Sequence, residues 1–179
     1  MIQDKNLFSD KTMQEFHIPR WPELPALDLY MDQVIAFIEG SLGSFFAAVG
    51  AAPLTKSMVN NYVKAKIVDA PVNKKYPKLS LAMIIVVYIL KSCYSTDEIG
   101  KLIKLGISLE EPKITYDRFC EAIESAVNHV FAGKVCITNE EIPGRANKYL
   151  MENFALSFAS KIYVQRTFLC RQKKHYVKK

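Results

Sequence analysis

From Leu79 to Leu90 the chain runs through twelve residues whose only polar groups are the Ser80 and Tyr88 hydroxyls. A helix of this composition is apolar around its whole circumference and is stable only when covered on every side. The run is too short for a bilayer, which requires ~20 residues, and so is the Gly-interrupted stretch from Gly40 to Leu54. Protein must supply the cover, so Leu79 to Leu90 is expected to be the central rod of a helical core, with Pro77 in its first turn. The 179 residues suffice for one such core and a small appendage, which excludes a multi-domain enzyme. Half the residues are apolar and 23% are charged, the composition of a folded, soluble chain rather than of disorder. Met1 to Lys5 offers no basic start leading into an apolar stretch, so neither secretion nor a membrane partner is expected and the cytoplasm is the expected location.

Little in the sequence points to chemistry. Cys93, Cys120, Cys136 and Cys170 stand 27, 16 and 34 residues apart, without the close pair of a zinc or redox motif, and are expected to be reduced thiols. His17, His129 and His175 are equally scattered. No metal and no other cofactor is expected. The seven glycines and three histidines form no phosphate loop, nucleophile elbow or two-histidine metal motif. Glu110-Glu111 and Glu140-Glu141 are consecutive acids that belong in or beside loops, solvated rather than paired for acid/base work. No catalytic residue is expected.

Charge is more informative. The net value of +6 divides into four blocks: 3 basic and 7 acidic residues over 1–53, 7 and 1 over 54–91, 5 and 9 over 92–144, and 9 and 1 over 145–179. A basic centre and a basic tail set between acidic blocks suggest a face that meets a polyanion; lysines that merely keep the protein soluble are the plainer alternative.

Along the chain, Pro19-Arg20-Trp21-Pro22-Glu23-Leu24-Pro25 holds three prolines in seven residues, which forbids a helix. Residues 1–27 are expected to form an arm that Trp21 pins to the core. Asp28 opens a helix with Leu29, Val34, Ile35, Phe37, Ile38 and Leu42 on its apolar face, loosened at its far end by Gly40, Gly43 and Gly50. Thr55 is a good N-cap for a helix from Lys56 to about Ala65. In it Met58, Val59, Tyr62 and the Lys66 stem or Ile67 point one way, and Ser57, Asn60, Asn61 and Lys64 the other. That polar face carries no acid. Two asparagines in succession weaken a helix, yet Asn pairs bidentately with adenine in a major groove; the alternative is a plain solvated face. Val68 to Pro77 reads as a small β-hairpin or wing with a basic tip at Lys74 and Lys75. Ser95-Thr96-Asp97-Glu98 is a capping box opening a helix that ends at Gly106. Thr115 caps a helix to about Phe131, and after a loop from Ala132 to Pro143 the last helix runs from Gly144 to about Cys170.

The string Met58-Val59-Asn60-Asn61-Tyr62-Val63-Lys64, the wing ending Lys75-Tyr76, the apolar helix and the boxed helix together resemble the DNA-binding domain of MerR-type transcriptional regulators over about residues 28–106. Leu54 to Lys91, with Trp21-Pro22-Glu23-Leu24-Pro25 and Leu29-Tyr30-Met31-Asp32-Gln33 before it, is similar to a family of uncharacterised bacterial proteins known only as a domain of unknown function, itself thought to carry a MerR-like fold. The resemblance implies that Tyr62 matches the aromatic residue late in the recognition helix, Asn60 the arginine before it, and Lys75-Tyr76 the wing's basic and aromatic pair, all facing DNA. Lys66 stands where the family pattern has glycine.

The expected architecture is therefore mainly α: an arm over 1–27, a MerR-like winged helix-turn-helix with a small β-hairpin wing over 28–106, and additional C-terminal helices over 107–179 that serve dimerisation. The expected function is sequence-specific binding of double-stranded DNA by a dimeric transcriptional regulator, with no effector ligand identified. Lys56, Lys64, Lys74 and Lys75 would neutralise phosphates, and Ser57, Asn60 and Asn61 would approach base edges, with Tyr62 and Tyr76 beside them. A non-catalytic protein-interaction module that keeps the fold without binding DNA is the alternative. In the last helix apolar side chains wrap all but a stripe of Asn153, Ser157, Ser160 and Lys161, so Leu150, Met151, Phe154, Phe158 and Ile162 are expected at a homodimer interface. A monomer with this helix threaded through its core is the other possibility.

Overall fold

The computed structural model describes residues 11–134 and 146–169. Helix α1 (Lys11–Gln14) and a 3-10 turn at Trp21–Glu23 lead to strand β1 (Leu29–Tyr30) and helix α2 (Met31–Ala48). Then come α3 (Lys56–Lys64), strand β2 (Lys75–Tyr76), α4 (Lys78–Leu90), α5 (Thr96–Leu109), α6 (Pro112–Phe131) and α7 (Ala146–Val164), which passes into a π-helical turn at Gln165–Leu169. The fold is mainly helical with one small antiparallel sheet. No helix among the described residues is long and apolar enough to cross a membrane.

Helix α4 is the rod its composition demands. Leu81, Ala82, Ile84, Ile85, Val87, Ile89 and Leu90 are all at most 1% exposed, and they join one core with buried residues of every other α-helix described here, including Val59 and Tyr62 of α3 and Ile99 of α5. Burying such side chains is worth ~1.5 to 3 kcal/mol each, which makes α4 the main apolar anchor of the fold. Phe16 of the arm stacks on Phe45 of α2 with ring centroids 3.7 Å apart, and Phe46 lies 4.5 Å from the Tyr88 ring of α4.

The arm is fixed by polar contacts to α6. The Arg20 guanidinium grips Glu124 through two hydrogen bonds of 2.8 and 2.5 Å, and the Ile18 amide donates to the same carboxylate at 2.6 Å. The Trp21 amide donates to Asp117, and the buried Tyr116 hydroxyl donates to the Pro19 carbonyl at 2.8 Å. A bidentate, partly buried Arg–carboxylate pair is among the stronger ionic contacts available to a protein. The proline-rich segment does hold one helical turn, because Pro22 suits the start of a 3-10 turn and Glu23 accepts from the Arg20 amide at 2.6 Å.

Several boundaries differ from expectation. Helix α2 starts at Met31, not Asp28, because Leu29 and Tyr30 are drawn into β1, opposite Tyr76 and Lys75. It also runs through Gly40 and Gly43 to Ala48. The capping box forms, with the Ser95 amide donating to Glu98 at 2.7 Å and the Glu98 amide to Ser95 at 3.3 Å, but α5 continues past Gly106. A Cβ on Gly106 would lie 2.9 Å from the Thr115 methyl, so that glycine permits close packing of α5 on α6 rather than ending a helix. Pro112, not Thr115, opens α6, and the Thr115 hydroxyl instead donates to the Gly106 carbonyl.

Candidate nucleic-acid interface

Helix α3 is short and held at both ends by local chemistry. The Thr55 hydroxyl accepts the Met58 amide at 3.3 Å. At the other end Lys66 takes the left-handed conformation, φ 56°, in the place where a glycine commonly closes a helix. Val59 and Tyr62 are buried, Met58 and Ile67 half-buried, and Lys56, Ser57, Asn60, Asn61 and Lys64 all exposed. The polar face predicted from periodicity thus points to solvent as one strip of two lysines, two amides and a hydroxyl, without an acid on the helix.

After α3, Val72 and Lys75 exchange two 2.9 Å backbone hydrogen bonds around Asn73 and Lys74, both at positive φ, 50° and 65°. This is the tight reverse turn that joins antiparallel strands. The expected hairpin is thereby reduced to a single bridge, and the true strand partner of Lys75-Tyr76 is β1. Lys74 is exposed at the tip. Lys75 lies over the Tyr30 ring, 5.0 Å from its centroid, and Lys78 lies 5.3 Å from that of Trp21. Aromatic faces of this kind hold a cation in place without neutralising it. Lys56 pairs with Asp32 of α2 at 2.5 Å; both side chains are more than half exposed, so the pair is worth ~0 to 1 kcal/mol and opens readily.

Two expected contact residues are placed elsewhere. Tyr62 is 3% exposed and Tyr76 2%, so both rings are core residues and neither faces a ligand. The Tyr62 hydroxyl is buried without a hydrogen-bond partner, and burial pushes its pKa up to about 12. The aromatic rings under Lys75 and Lys78 are instead those of exposed Tyr30, placed by β1 pairing with Lys75 that is not local in sequence, and of half-buried Trp21 in the 3-10 turn.

The residues expected at a dimer interface are also divided. Phe158 and Ile162 are 0% and 1% exposed and lie inside the chain, Phe158 against Phe45 and Phe46. Helix α7 is threaded into the core, held by Tyr94 to Ser157 at 2.6 Å and by the Lys161 ammonium donating to the Ser92 carbonyl. Leu150 remains exposed, and Met151 and Phe154 half-buried, along a groove of about 1070 Å³ between α4, α5, α6 and the first half of α7. Cys120 is buried in α6 with its thiol pushed up to about 12 by desolvation, and Cys93 is half-buried; Cys136, Cys170 and the basic end of the chain lie outside the described residues. No group of metal-binding side chains occurs among the described residues.

The family described as a domain of unknown function, DUF1836, matches residues 19–119, more than half of the chain, and the chain belongs to that family. The match takes in every residue of the α3 strip and of the Val72 to Lys75 turn and ends inside α6, leaving α7 beyond it. No curated protein and no solved structure matches the chain.

Proposed function

We propose that this DUF1836 chain binds double-stranded DNA as a winged helix-turn-helix protein and acts as a dimeric transcriptional regulator. The observation that carries this reading is the α3 strip, in which Lys56, Ser57, Asn60, Asn61 and Lys64 are all exposed, with Lys74 exposed at the tip of the turn that follows. Such a strip offers what a major groove takes: cations for phosphates and side-chain amides for base edges. Lys56, Lys64, Lys74 and Lys75 bind the backbone, and Asn60 and Asn61, with Ser57, read bases. Tyr62 and Tyr76 support the surface from beneath. The exposed apolar groove favours a second reading, a protein-interaction module whose helix-turn-helix does not meet DNA.

Affinity for random and selected duplexes, measured across salt concentrations, separates the two. Replacing Lys74 and Lys75 together with Ala is expected to weaken binding to every duplex and to flatten the slope of log K against log salt by roughly 1 to 2 units. Asn60→Ala or Asn61→Ala is expected to relax preference at one base pair, by ~1 to 3 kcal/mol. A protein that binds no duplex at low salt overturns the DNA reading.

A further inference from the structure

Lys78 opens α4, three residues after Lys75, and the two lysines are seated alike: the Lys78 ammonium lies 5.3 Å from the centroid of the Trp21 ring and that of Lys75 lies 5.0 Å from the Tyr30 ring. Both rings come from the N-terminal segment, not from the elements that carry the lysines. Trp21 is fixed from α6, where Asp117 accepts its amide at 2.6 Å and the Tyr116 ring stands edge-on 6.2 Å away. Tyr30 is fixed by the register of β1 on β2, which sets it opposite Lys75. Among the described residues no carboxylate lies within ion-pair distance of Lys74, Lys75 or Lys78. Both seated cations therefore keep their charge for an outside anion, and part of the cost of ordering a flexible side chain on binding is met beforehand. Their Cα atoms, three residues apart, lie within about 11 Å of each other. That is the axial length of roughly three phosphates on one DNA strand. The same junction reaches α3, because Asp32, two residues after Tyr30, pairs with Lys56 at 2.5 Å. The first turn of α3 and the Lys75 seat thus meet across residues 30–32.

We infer that Lys75 and Lys78 grip neighbouring phosphates of one DNA strand, and that Trp21 and Tyr30 are the positioning residues that hold their ammonium groups in place. The inference rests on the DNA reading of the proposed function and extends its surface from α3 and the turn to the first turn of α4. It also gives the docked arm a task, since the Arg20–Glu124 pair and the Trp21 amide fix the ring on which Lys78 rests.

Duplex titration of the full chain across salt concentrations, beside chemical unfolding of each variant, is the test. Lys78→Ala is expected to flatten the slope of log K against log salt by about 0.9 unit on every duplex and to leave sequence preference unchanged, and Lys78→Arg to restore the parent slope. Tyr30→Leu and Trp21→Leu keep both lysines, so each is expected to hold the slope and to lower affinity at fixed salt by about threefold. Tyr30→Phe and Trp21→Phe, which keep a ring, are expected to bind as the parent does. Tyr30 is 50% exposed, so Tyr30→Leu is expected at the parent's unfolding midpoint and carries the test should Trp21→Leu loosen the arm. A parent slope kept in Lys78→Ala, or parent affinity kept in Tyr30→Leu, overturns the inference while the DNA reading stands. Affinity that falls equally in Tyr30→Leu and Tyr30→Phe overturns it as well, since the hydroxyl and not the ring would then matter. A parent chain that binds no duplex at low salt overturns both.

Discussion

Helices α3 and α7 both carry residues expected at an interface, yet α3 turns its whole polar strip outward while α7 turns Phe158 and Ile162 into the core. The difference lies in how each sequence divides its circumference. In α3 apolar and polar residues alternate with helical period, so burial of Val59 and Tyr62 decides the direction of every other side chain. In α7 apolar residues surround most of the helix, so the pattern fixes that it is covered but not by what. The middle of α7 is threaded through the chain's own core, as one of the two outcomes weighed for it has it, while Tyr149 and Leu150 in its first turns are exposed.

Phe158 is the position where that division breaks most visibly. It is fully buried against Phe45 and Phe46, so Phe158→Ala leaves a cavity and is expected to cost ~3 to 5 kcal/mol in urea unfolding. A loss below about 1 kcal/mol, together with a change in sedimenting mass, would return Phe158 to a shared surface and erase the contrast with α3.

What was legible in the sequence is what local chemistry decides. The Thr55 cap, the Ser95 and Glu98 box, the buried rod of α4 and the outward face of α3 all rest on residues within a turn or two of one another. Strand β1 was not legible, since two residues show no alternation and their partners lie far along the chain at Lys75 and Tyr76. Gly106 read as a stop because glycine often ends helices, whereas its role is set by a Thr115 methyl on the next helix. For Tyr62 the two lines of reasoning disagreed: periodicity put it inside and family resemblance put it on the DNA, and the placement follows periodicity. The arm docks with the Trp21 ring edge-on to Tyr116 of α6, as its composition suggests, and the backbone of Ile18 and Trp21 and the Arg20–Glu124 pair, which no local pattern shows, hold it as well.

The interiors behind α3 and behind the arm also differ in how they respond to alkali. Burial keeps the Cys120 thiol neutral up to about 12 and pushes the Tyr116 and Tyr88 hydroxyls up as well. An unfolded thiol titrates near 8.5 and an unfolded tyrosine near 10. Because the folded values are raised, their contribution to stability is complete below about pH 8.5 and is lost as pH rises toward 12. Unfolding measured at pH 7.5 and 10.5 is expected to show a loss of about 2 kcal/mol or more, and Cys120→Ala is expected to remove a large part of it. Equal loss in the parent and that variant would place the alkali-sensitive groups behind α3 instead.

The smallest effect separates the two accounts of Tyr62 most sharply. Its hydroxyl is the one buried side-chain polar atom without a partner among the described residues, and an unsatisfied buried polar group costs ~1 to 3 kcal/mol. Tyr62→Phe removes that group and keeps the ring that packs beneath α3, so it is expected to leave stability unchanged or raise it by about 1 kcal/mol. The exposed strip from Lys56 to Lys64 is untouched by the change, and the proposed DNA affinity and its salt slope should not move. A residue that met DNA through its hydroxyl would behave in the opposite way, with stability constant and affinity for the preferred duplex lowered by about tenfold, as loss of one hydrogen bond of ~1.4 kcal/mol implies. Chemical unfolding and duplex titration on this one variant therefore decide whether the inward reading of Tyr62, and with it the contrast between a helix whose faces separate and one whose faces do not, holds in solution.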